Sequence, residues 1–211
     1  MVPEASDQGE SAGDQAGAVG ELRELNDAQT MRALSHPVRI ALIEALSLFG
    51  VMTATEVGER IGESPTTCSF HLRQLAKYGF IVEAGGGTGR SRPWKLASIG
   101  MRIGAVHDDP AAEIAAGILT KLLRERQLAR YKTWLDTRSS FPKPWRDAAG
   151  EGEFLFYLTA QELEELQNDL LTFLWPRFRE RFDDPSRRPE GAAPVEMLVF
   201  SYPIELPDSE R

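Results

Sequence analysis

The sequence predicts a mainly helical chain with a small β component, an α+β fold. Three observations lead there. Apolar residues recur at helical spacing between capping residues through residues 27–78. Two short β-rich runs flank the glycine cluster at 84–89, the pattern of a hairpin. A long stretch without proline, 111–137, is then followed by a strand-like, a helical and another strand-like segment. The 211 residues suffice for one or two domains.

Residues 1–20 are rich in Gly, Ala, Ser and acidic side chains and offer almost nothing to bury, so a disordered tail is expected, set here at 1–26. Asn26 or Asp27 caps a short helix carrying Met31 and Leu34, which stops at Ser35-His36 because the residue before Pro37 is pushed out of the α region. Pro37, at a first helical position, opens a second helix that ends near Phe49-Gly50. Thr53 or Thr55 begins a third, with Val57 and Ile61 inward and Gly62 as its stop. Ser64 caps a fourth, with Pro65 at its first position, reaching Tyr78-Gly79. The runs 80–83 and 92–96 form the hairpin, with Trp94 packed at its base.

Further on, Ile114, Ile118, Leu122, Leu128, Tyr131 and Leu135 make a helical stripe along 111–137, the pattern of a dimerisation helix. Pro142 and Pro144 interrupt it. Residues 153–158 read as a strand, Thr159 with Glu162 as a capping box for a helix through about Arg181, and 195–202 as a second strand ending at Pro203. The aromatic residues Phe154, Phe156, Tyr157, Phe173, Trp175 and Phe178 are expected to be core; the alternative is a pocket for a small-molecule effector. The expected organisation is therefore a tail (1–26), a small helical domain with a hairpin (27–103), and a C-terminal dimerisation or effector region (104–211) with a strand-helix-strand.

The net charge of −8 argues against a nucleic-acid partner until the chain is divided. Residues 31–103 carry nine basic and five acidic side chains, a net +4, while 1–30 and 104–211 are each at −6. The helical domain alone has the sign that phosphate needs. No stretch reaches the roughly 18 apolar residues of a membrane span, and no basic segment leads into an apolar run at the N-terminus, so no membrane partner and a cytoplasmic location are expected. Cys68 stands alone, and with three scattered histidines it supplies no thiolate cage, so no metal and no cofactor are expected. No phosphate-binding loop, nucleophile elbow or zinc-protease motif occurs, and the chain does not read as an enzyme.

Helix, short turn at Gly62-Glu63, helix and glycine-tipped hairpin is the element order of a winged helix-turn-helix, in which a helix about 10–12 Å across enters a major groove about 12 Å wide. Residues 34–42, with His36-Pro37-Val38-Arg39, together with 64–75, with Ser69-Phe70-His71-Leu72 and Leu75, and then Tyr78-Gly79-Phe80-Ile81, resemble the ArsR-like transcriptional regulators. The resemblance covers roughly 27–103 and implies a DNA-binding repressor acting as a homodimer on double-stranded DNA. The DNA-facing residues are then Ser64, Pro65, Thr66, Thr67, Ser69, Phe70, His71, Arg73 and Lys77 on the recognition helix 64–78, with Arg90, Arg92 and Lys95 in the wing 84–95. Phe70 departs from the polar residue often found there in the family, and the cysteines of the metal-sensing members have no counterpart. The competing reading is a winged-helix module that binds protein and not DNA.

Overall fold

The computed structural model describes residues 22–86, 92–98, 100–104 and 106–205. It divides into two compact units, the first ending at Ala129 and the second beginning at Arg130.

In the first unit, strand β1 (Leu22–Leu25) precedes four short helices, α1 (Ala28–Leu34), α2 (Pro37–Phe49), α3 (Ala54–Ile61) and α4 (Pro65–Lys77). The expected caps are in place. The Asp27 carboxylate accepts from the Thr30 amide at 2.8 Å, Thr53 and Glu56 form a capping box, and the Ser64 hydroxyl accepts from the Thr67 amide at 3.1 Å. Each satisfies a helix N–H that would otherwise lack a partner. Then come β2 (Ile81–Glu83) and β3 (Trp94–Leu96), antiparallel with Val82 opposite Lys95. Met52 adds a bridge to Trp94, which is buried at the wing base as the sequence led us to expect. Strand β4 (Gly100–Ile103) pairs in parallel with β1, Glu24 opposite Arg102. Neither strand of this pair was legible locally, and Leu22–Leu25 correct the reading of residues up to 26 as a tail; residues 1–21 lie outside the described residues.

The core gathers one face of every helix here. Leu34, Leu42, Val57, Cys68, Leu72 and Leu75 are inaccessible to solvent. Two glycines shape the turn between α3 and α4. A Cβ on Gly58 would lie 2.7 Å from the Glu63 carbonyl oxygen, and Gly62 closes α3 at φ 74, ψ 30, in the left-handed region.

Helix α5 (Pro110–Thr137) buries Ala112, Ala115, Ala116 and Leu119 against this core. Ile114, Ile118 and Leu128 of the expected stripe are exposed, because small side chains let the helix approach the core closely on the other face. Arg126 clasps the Glu44 carboxylate of α2 through two donors, Nε at 3.1 Å.

The second unit holds α6 (Lys143–Ala148) and α7 (Ala160–Asp183), the latter opened by the expected Thr159–Glu162 capping box and carrying Pro176 in its interior. Residues 153–158 and 195–202 are not strands, a correction to the sequence reading: apolar alternation makes a strand only where a second edge supplies a ladder of hydrogen bonds. The rings of Phe154 and Phe156 nonetheless stack at 6.0 Å. The aromatic residues expected as core are corrected too. Phe154, Phe156, Tyr157, Phe173 and Phe178 are exposed, and no described residue from 130 onward is buried. Among the described residues no helix is long and apolar enough to cross a membrane.

Leu72→Ala is expected to lower the unfolding free energy by about 2–5 kcal/mol, read by urea denaturation. A loss under about 1 kcal/mol would mean that α4 is not seated in a packed core.

Candidate nucleic-acid interface

The amphipathic order of α4 decides what it presents. Cys68, Leu72 and Leu75 anchor one face in the core. Thr66, Phe70, Arg73 and Lys77, three or four residues apart, line the opposite face and are exposed, Phe70 at 52%. Pro65 and Ser64 are exposed at the N-terminal end, and Thr67 and Ser69 flank the stripe half-buried, with the Ser64 and Thr67 hydroxyls 2.9 Å apart. The face has hydroxyl donors and acceptors at one end, an apolar ring in the middle and cations at the other end.

His71 does not belong to that face. It is buried, its ring 4.5 Å from that of His36 and edge-on to Phe70. His36 caps α2 through Nδ1, which accepts from the Val38 amide at 3.2 Å. Burial first, then the neighbouring His36 and Arg39, hold the His71 ring below its ordinary pKa, and its Nδ1 has no hydrogen-bond partner. Cys68 is shielded in the same way, its thiol pushed up by burial and by Glu63.

In the wing, Lys95 is exposed on β3, and Arg92 donates to Glu83 across the hairpin at 2.7 Å, both side chains largely open to solvent. Arg90 lies outside the described residues. One contributor was missed in the sequence. Arg23 of β1 stacks over the Phe80 ring at 4.3 Å and donates to the carbonyl of Tyr78, the residue that ends α4. Nothing near Arg23 in the sequence announces this, since its partners lie some 55 residues away.

Residues 34–84 match the family described as a helix-turn-helix domain. This segment is a helix-turn-helix domain. With the hairpin behind it, the α+β fold is a winged helix-turn-helix. No curated protein matches the chain. Solved structures similar to it include reduced HlyU from Vibrio cholerae (14% identity over 45% of this chain and 87% of that one, TM-score 0.28). The AntR antimony-specific transcriptional repressor is 19% identical over 47% and 78%, with a TM-score of 0.31. A MarR family regulator from Neisseria meningitidis is 19% identical over 63% and 76%, with a TM-score of 0.30.

The depressed pKa of His71 fixes a sign. As pH falls past the ordinary histidine value, about 6.5, the unfolded chain takes up the proton before the folded one does, so the stability held above that pH is lost as pH falls toward the lowered value. Unfolding free energies measured from pH 7.5 to pH 5 are expected to decline in the native chain and to decline less in His71→Gln. Equal slopes would show that His71 is not held neutral.

Proposed function

We propose that the chain is a sequence-specific DNA-binding transcriptional regulator, a dimeric repressor, with α4 in the major groove and the wing on the backbone or in the minor groove. The observation that carries this reading is the exposed stripe of α4 backed by a buried one, in a domain whose net charge is positive within an acidic chain. In this reading Arg73 reads a guanine edge or grips a phosphate, Thr66 and Ser69 position on base edges or phosphates, Phe70 meets a thymine methyl, and Lys77 pairs with a phosphate. Arg90, Arg92 and Lys95 hold the wing to the duplex. His71 acts behind the interface, by packing. The repressor assignment rests on the resemblance of residues 27–103 to the ArsR-like regulators. Dimerisation through the outward face of α5, with Ile114 and Ile118, provides the two-fold that a palindromic site requires.

A site selected from random duplexes and then titrated with salt tests this. If Z phosphates are contacted, log K falls with log salt at a slope near −0.9Z. Arg92→Ala is expected to flatten the slope by about one unit and weaken all sequences alike, and Arg73→Ala to cost about 1–3 kcal/mol on the selected site. Glu83→Gln, which releases Arg92, is expected to tighten binding at low salt. No duplex binding by the native chain at low salt would sink the reading and leave the domain as a protein-binding module.

A further inference from the structure

We propose that the acidic N-terminal segment of this chain, residues 1–21, docks on the cationic end of α4, at Arg73 and Lys77, and competes there with weakly seated polyanions. The docking stands on charge and on the path of the chain; its competition with a duplex rests on the DNA reading above.

Charge is what the segment has to offer. It carries Glu4, Asp7, Glu10, Asp14 and Glu21 and no basic residue, and beyond Pro3 its apolar side chains larger than alanine are Met1, Val2 and Val19. Helix α4 is the complement. It contains Arg73 and Lys77 and no acidic residue. Both are exposed, and neither forms an ion pair among the described residues. Glu63, which precedes the helix, stands at its far end, about 20 Å from Lys77 at 1.5 Å per residue.

The path of the chain brings the two together. Strand β1 begins at Leu22, so the segment enters the domain beside Arg23. Arg23 donates to the Tyr78 carbonyl and lies 4.3 Å from the Phe80 ring centre, which puts the point of entry at the C-terminal end of α4. Lys77 reaches over the Tyr78 ring at 5.4 Å, and Arg73 stands about 6 Å back along the helix. The acidic residues at this corner are engaged elsewhere: Glu24 pairs with Arg102 at 3.9 Å, and Asp27 caps α1. Arg39 lies beside Tyr78 as well, and burial holds Arg23 and Arg39 below their ordinary pKa, so an anion at this edge stabilises charges that burial disfavours. From Glu21 back to Glu4 the chain spans up to about 55 Å when extended, enough to pass both cations. Tethering sets its effective concentration in the mM range. A duplex carries one charge per about 1.7 Å of axis, far denser than five carboxylates on such a segment. A duplex seated on the whole face therefore displaces the segment, and one that touches a few phosphates does not.

The test is zero-length carbodiimide coupling of the full chain, which joins a carboxylate to an amine in contact with it, followed by mapping of the linked peptides. Lys77 is expected to be joined to Asp7, Glu10 or Asp14 of the same chain, at least fivefold more than the exposed Lys121 and Lys132 are. Arg73→Gln, at an exposed position, is expected to lower that linkage at least twofold. With Glu4→Gln, Asp7→Asn, Glu10→Gln, Asp14→Asn and Glu21→Gln together, the chain is expected to bind a random duplex at least fivefold more tightly at about 50 mM salt, the gain falling below twofold at about 300 mM as screening sets in. Linkage spread evenly over the lysines, linkage only between two chains, or no gain on neutralisation overturns the proposal. So does a gain without the Lys77 linkage, which is long-range repulsion. Linkage at Lys77 in a chain that binds no duplex upholds the docking and sinks the DNA reading, so the two failures are distinguishable.

Discussion

Burial of one face of α4 is the constraint on which the rest depends. A 13-residue helix that begins with proline and contains three β-branched or small hydroxyl residues in its first five positions has little stability of its own in water. It persists because Cys68, Leu72 and Leu75 are held in a core shared with α2, α3 and the wing. That anchoring fixes which residues face outward, since on a helix the burial of positions 68, 72 and 75 leaves 66, 70, 73 and 77 no other direction. The capping hydroxyl of Ser64, the glycine pair at 58 and 62, and the clasp of Arg23 on the Tyr78 carbonyl all serve the same end: they set where the helix starts, how it turns from α3 and where it stops. Rigid support of this kind lowers the ordering cost of any contact made by the outer face.

Electrostatics in the domain are arranged to be exchangeable. The Arg92–Glu83 pair is solvent-exposed, and an ion pair of that kind contributes only about 0–1 kcal/mol. The carboxylate is therefore displaced at small cost by any competing anion.

Local signals in the sequence were sufficient for the elements that local physics decides. Asp27, Thr53, Ser64 and Thr159 cap where their side chains suggest, and the periodicity of α4 separated buried from exposed residues correctly except at His71, whose burial depends on His36, thirty-five residues earlier. Features set by distant partners stayed hidden. The β1–β4 pair joins segments nearly eighty residues apart, and neither has a pattern that names the other. In α5 the face that packs on the core was not legible, because close helix approach uses Ala112, Ala115 and Ala116 and leaves Ile114 and Ile118 outward. Segments 153–158 and 195–202 have the alternation of strands, but a ladder is a property of two chains side by side and cannot be read from either alone.

The seclusion of Cys68 turns it into a native reporter. With no solvent access and a thiol kept protonated, it reacts with an alkylating or disulfide reagent only when α4 swings away from the core. Its labelling rate thus counts how often the domain opens, and a bound ligand that clamps α4 in place would slow that clock without touching the sulfur.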